Sequence, residues 1–127
     1  NKDQRSKGIS SAICYSAVAT AMSINASLII ASSFSGYTAR IVSKFKPESH
    51  IIGLSPIDRT LRKMQLYWGV TPLKTQEVNS TDHLLEEAVK AVEEHKYANK
   101  GDTLILTAGI PAGKAGITNM IKVVTID

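Results

Sequence analysis

Two loops of small residues follow strand-like apolar runs, and they are where this chain could do chemistry. Ser32-Ser33-Phe34-Ser35-Gly36-Tyr37-Thr38 comes after Leu28-Ile29-Ile30, and Gly109-Ile110-Pro111-Ala112-Gly113-Lys114-Ala115-Gly116 after Leu104-Ile105-Leu106. The first loop has hydroxyls at Ser33, Ser35 and Thr38, a glycine at the turn, and a short helix predicted through Phe45. Free backbone N–H groups at such a helix start can converge on one anion. That is phosphate recognition, and it needs no catalytic group. A competing reading stays open, because serine-rich strand ends often do no more than cap the next helix. The second loop is not a nucleotide-binding P-loop. Gly109 to Gly113 is one residue too short, and Ala115 stands where a magnesium-binding hydroxyl should follow Lys114.

Several elements must position these loops. Ile13, Ala17, Ala21 and Ile24 recur at helical spacing, with Cys14 and Val18 on the adjoining flank, which predicts a helix from Ser10 to about Ile24. Asn25-Ala26 breaks it, and Ser27 to Ala31 reads as a strand buried on both faces. Lys46-Pro47 ends the helix after the serine loop, and His50 to Leu54 reads as a second buried strand. Ser55-Pro56-Ile57-Asp58 predicts a helix start with serine as cap and proline in the first turn, running to Leu66 or Tyr67 before Trp68-Gly69. Val70 to Lys74 is a strand whose Pro72 suits an edge position or a strand start. Thr81-Asp82 is expected to cap a long helix whose stripe is Leu84, Leu85, Ala88, Val89 and Val92. After a turn at Gly101-Asp102, Thr103 to Thr107 and Asn119 to Ile126 read as a pair of strands flanking the glycine loop. This order predicts a three-layer α/β/α sandwich with a mostly parallel five-stranded sheet, and ligands of such sheets bind beyond the carboxyl ends of the strands, where both loops fall.

With 127 residues, 43% of them hydrophobic, residues 1–127 are expected to form a single domain. No apolar run reaches the roughly 18 residues of a membrane span, and Asn1 to Gly8 is polar and basic without a signal-type apolar core. A cytoplasmic protein with no membrane partner is expected. The lone Cys14 reads as a small buried apolar residue, and His50, His83 and His95 lack partners at metal-ligand spacing, so no metal is expected. The net charge of +4 divides into +7 over residues 1–75 and −3 over residues 76–127. Arg40, Lys44 and Lys46 follow the serine loop, and Arg59, Arg62 and Lys63 sit on the next helix. Small anionic ligands suit that half, although solvated helix faces explain most of these charges. Few aromatic side chains are interleaved with them, which argues against nucleic acid.

From Ser33 to Pro47 the chain resembles the effector loop and following helix of the C-terminal domain of pyruvate kinase. The resemblance continues in order through Ile51-Ile52-Gly53-Leu54-Ser55, Leu61-Arg62, Tyr67-Trp68-Gly69-Val70-Thr71-Pro72, Gly101-Asp102, Thr107-Ala108-Gly109-Ile110-Pro111 and Gly116-Ile117-Thr118-Asn119, covering about Ile9 to the end. It implies a five-stranded mixed sheet with the last strand antiparallel, a phosphorylated effector held at Ser33, Phe34, Ser35, Gly36, Tyr37 and Thr38, and a second effector loop marked by Gly109, Gly113, Lys114 and Gly116. It also implies a tetramer formed through this domain, with the last strand and nearby helices as candidate interface.

The family's barrel and lid domains bind phosphoenolpyruvate, nucleotide, magnesium and potassium. This chain contains neither, so the resemblance implies no cofactor in this chain and no phosphoryl transfer by it alone. Phe34 stands where several members responsive to fructose 1,6-bisphosphate have lysine. Ile110 stands where some have tryptophan, and Asp82 to Lys96 offers no arginine for a second phosphate. A monophosphate, such as a sugar phosphate or AMP, fits these departures better than a bisphosphate. Two further readings remain beside this one: a structural assembly module without effector binding, and an independent small enzyme acting on phosphate esters. Against the enzyme, no carboxylate, histidine or cysteine is placed in sequence beside either loop as base or nucleophile.

Overall fold

The computed structural model describes residues 2–109 and 118–127. Its elements are α1 (Lys2–Ile24), β1 (Leu28–Ser32), α2 (Tyr37–Lys44), β2 (His50–Ser55), α3 (Asp58–Met64), β3 (Val70–Lys74), α4 (Thr81–Glu94), β4 (Thr103–Ala108) and β5 (Met120–Thr125). The five strands form one sheet in the order β3-β2-β1-β4-β5. Parallel pairing joins β1 to β2, β1 to β4 and β2 to β3, whereas β5 runs antiparallel to β4 with Leu104 opposite Val124. The predicted sandwich, antiparallel last strand and edge placement of the proline-bearing strand are all present.

Period-two alternation divides the apolar strand residues between two faces. Leu28, Ile30, Ile52, Leu54, Leu104 and Leu106 meet the α4 stripe of Leu84, Ala88 and Val92. Ile29, Ile51 and Ile105 meet Cys14, Ala17, Val18 and Ala21 of α1 and Val42 of α2. A smaller cluster of Ala31, Ala39 and Met64 brings α3 onto that second face. Both faces of the central strands are therefore covered, which is why they read as unbroken apolar runs.

Gly53 in β2 allows a close approach on that second face. A Cβ there would lie 2.6 Å from Met64 Sδ and 3.0 Å from Val70 Cγ1.

Three helix starts differ from the sequence reading. α1 begins at Lys2 rather than Ser10, because Gln4 to Ile9 continue the helix largely in solvent, where no apolar stripe marks them. Ser55 ends β2 and its Oγ accepts from the Ile57 amide, so α3 starts at Asp58 with Ile57 as its cap residue. Ser80, not Thr81, caps α4, its Oγ accepting from the His83 amide at 3.1 Å. No helix among the described residues is long and apolar enough to cross a membrane.

Candidate functional site

Strand order and helix placement single out one end of the sheet. From β1 the chain steps through α2 to β2 and through α3 to β3, with both helices on one face. It then crosses through α4 on the other face to β4, on the opposite side of β1. The direction of winding reverses between β1 and β4, and open α/β sheets bind ligands outside the carboxyl ends of strands at such a point. The segments leaving β1 and β4 begin with Ser33 and Gly109. Ser32, Ser33, Phe34, Ala108 and Gly109 line a common cavity of about 40 Å³ there, bordered on its far side by Thr75, Gln76 and Val78, which follow β3.

The serine loop enters α2 through Gly36, which has φ 86° and ψ −1° and is the cap residue of the helix without a side-chain cap of its own. A Cβ at this position would add left-handed strain and meet Met64 and Thr60 of α3. Helix geometry leaves the first amides of α2 without intrahelical partners. Ser33 Oγ accepts from the Gly36 amide at 2.8 Å and Ser35 Oγ from the Tyr37 amide at 3.2 Å. Each serine hydroxyl keeps its own proton to donate outward. Phe34 is half-buried, and its carbonyl accepts from Thr60 Oγ1, which ties the loop to α3. Ser35 is exposed and Tyr37 half-buried.

Thr38 differs from the other hydroxyls. It is only 4% exposed, and its Oγ1 lies 2.6 Å from Thr118 Oγ1. Thr118 in turn donates its amide to Ser10 Oγ at 2.9 Å, linking α1, α2 and the segment entering β5. The structure thus brings Ser33, Phe34, Ser35, Gly36 and Gly109 together at the end of the sheet, with the Thr38 side chain turned into the interior. Gly113, Lys114 and Gly116 lie outside the described residues.

Cys14 sits beneath the loop, its Sγ 3.9 Å from the Thr38 carbonyl oxygen. Burial pushes its thiol from the ordinary 9.0 up to about 11, against a smaller lowering by a hydrogen bond with Thr118. At neutral pH it is a protonated, buried thiol and no nucleophile. The folded state disfavours the thiolate, so the resulting stabilisation is complete below pH 9 and lost as pH rises from 9 through 11. The shift corresponds to a contribution on the order of 2–3 kcal/mol. Urea-unfolding stability is therefore expected to fall more steeply between pH 9 and 11 in the native chain than in Cys14→Ala; parallel profiles would show that the thiol does not titrate with folding.

The basic residues near the loop lie at the surface. Arg40 and Lys44 are exposed on α2 and Arg59 and Arg62 on α3, while Lys74 donates to Asp58 at 2.8 Å and holds that carboxyl below the usual carboxylate range. Among the described residues, no group of three or more His, Cys, Asp or Glu is placed to hold a metal ion.

Comparison with known proteins agrees with this architecture. The model of the family "Pyruvate kinase, alpha/beta domain" matches residues 11–124. A pyruvate kinase from Staphylococcus aureus (strain USA300) is 42% identical over 112 residues, 88% of this chain and 19% of that protein. One from Lactobacillus delbrueckii subsp. bulgaricus is 35% identical over 121 residues, 95% of this chain and 20% of that protein. A crystal structure of a pyruvate kinase from Cryptosporidium parvum superposes with a TM-score of 0.83 at 27% identity, covering 94% of this chain and 23% of that one. The chain spans about a fifth of the length of the curated relatives it matches. On its fold and on these matches, the chain belongs to the pyruvate kinase alpha/beta-domain family.

Proposed function

We propose that this chain is the regulatory and self-associating domain of a pyruvate kinase, and that it binds a phosphorylated small-molecule effector at the Ser33–Thr38 loop. The observation that carries this reading is that the loop leaving β1 and the end of β4, Ala108 and Gly109, border one cavity at the switch point of the sheet. Hydroxyl protons of Ser33 and Ser35, the positive end of α2 and the exposed Arg40 favour one phosphate. In the whole enzyme the reaction is phosphoryl transfer from phosphoenolpyruvate to ADP in glycolysis, in the cytoplasm. Magnesium and potassium belong to the parts of the enzyme that this chain does not contain, and the chain alone is inactive.

Self-association draws on the apolar side chains left outside the core. Ile9, Tyr15 and Met22 are exposed along α1, Phe45 packs edge-on to Tyr15, and Val123 is exposed on the edge strand β5. Such a surface suits a tetramer built through this domain.

One observation favours a second reading, an assembly module without effector. The serine oxygens already satisfy the Gly36 and Tyr37 amides, so the loop is complete as a helix cap. Calorimetric titration of the 127-residue chain with inorganic phosphate, ribose 5-phosphate, AMP and fructose 1,6-bisphosphate separates the two, with sedimentation on the same samples. Saturable binding, tighter for the monophosphates, and a mass above the monomer are expected. Heat of dilution alone from every ligand would leave the assembly module, and a monomer at high concentration would remove the self-association.

A further inference from the structure

Thr75 follows β3 and packs at the far wall of the cavity that Ser33 opens. It is 8% exposed, and its Oγ1 is buried without a hydrogen-bond partner among the described residues. Its amide donates to the Ser55 carbonyl at 3.1 Å, which fixes its backbone to the end of β2. Buried hydroxyls in native proteins are nearly always paired, so an orphan at a cavity wall asks for a reason. Thr75 also lines a second cleft, of about 440 Å³, between the segment after β3 and α4. Both spaces border Pro56, Thr75 and Gln76, so a ligand body running from the serine loop toward the surface of α4 would pass Thr75.

The charges along that path limit what can lie in it. Glu77, Glu87 and Glu94 line the second cleft, and of its two lysines Lys74 is already bonded to Asp58. A second phosphate there would face carboxylates, whereas an uncharged, hydroxyl-bearing group would not. We infer that Thr75 is a specificity-determining residue of this site, pairing its orphan hydroxyl with a hydroxyl on the uncharged body of a phosphate monoester whose phosphate sits on the serine loop. The inference rests on the phosphate-site reading above and adds what the site selects beyond phosphate. In this pairing the ligand supplies the partner that the buried Thr75 hydroxyl lacks among the described residues.

Two probes of similar size isolate this role: ribose 5-phosphate, which carries hydroxyls, and n-butyl phosphate, which carries none. Both are titrated into the native chain, Thr75→Val and Thr75→Ser. The native chain is expected to bind ribose 5-phosphate about tenfold more tightly than butyl phosphate. Thr75→Val, which keeps the shape and removes an unpaired hydroxyl, should erase that preference at unchanged butyl phosphate affinity, and Thr75→Ser should retain it. Equal binding of the two probes by the native chain, or a preference that survives in Thr75→Val, would overturn the role of Thr75 and leave the phosphate site standing. Failure of the native chain to bind either probe would overturn both.

Discussion

Replacing Ser35 by aspartate is expected to weaken phosphate binding by more than a hundredfold while leaving the chain almost as stable as before. Ser35 is exposed, and among the described residues the hydrogen bond of its side chain is the one its oxygen accepts from the Tyr37 amide. Aspartate accepts such bonds at helix starts as well as serine does, so the cap survives to within about 0.5 kcal/mol. Its charge, however, would stand a few ångströms from the bound anion. Two unit charges 4 Å apart near a protein surface repel by about 4 kcal/mol, well beyond the roughly 2.8 kcal/mol of a hundredfold loss. Titration with inorganic phosphate and a thermal melt on the same preparation check both halves. Undiminished affinity with a normal melt would move the phosphate away from this loop. Thr38 is a poorer place for the same substitution, since a carboxylate there would be buried and would cut the hydrogen bond to Thr118.

The largest loss of stability is expected at Gly53. Valine is normally favoured in a strand by up to about 1 kcal/mol, and propensity alone would make Gly53→Val beneficial. The packing reverses the sign. Even a single Cβ would meet Met64 Sδ at 2.6 Å and Val70 Cγ1 at 3.0 Å, and Met64 is fully buried, so its flexible end has little room to withdraw. Overpacking of a tight core by a branched side chain costs about 3 kcal/mol, which lowers the melting temperature of a domain this size by roughly 12 °C. Chemical denaturation of Gly53→Val should show that loss, and combination with Met64→Ala should recover part of it through coupling between neighbours. A single variant as stable as the native chain would mean that α3 can shift away from the sheet without cost.

The architecture was legible because its signals are local and unambiguous. Leu28-Ile29-Ile30 and Leu104-Ile105-Leu106 are unbroken apolar runs because both of their faces are covered, and Pro72 marks an edge strand because it cannot donate to a second neighbour. Helix starts were less legible. Ser55-Pro56 satisfies a capping pattern, but Ser55 is the last residue of β2, and the solvated first turns of α1 have no periodicity to read. In the site, the serine loop announced itself through composition and spacing. The inward turn of Thr38 did not, because it depends on Thr118, eighty positions away. Thr75 gave no sequence signal at all: a threonine between Lys74 and Gln76 becomes notable only when three parallel strands bring it opposite Ser33.

The place of β1 in the sheet bears on how the chain acquires its fold during synthesis. Its first partner, β2, follows soon after, but its other partner is β4, with Leu28 opposite Leu104. That pair joins residues 76 positions apart, so the entropic cost of loop closure falls on β4, well after β1 has emerged, and contact order of this kind slows folding. A nascent chain that has not reached Thr103 carries Ile29 and Ile30 on an open, hydrophobic sheet edge. That interval, rather than any weakness of the finished domain, is when the polypeptide is most exposed to aggregation.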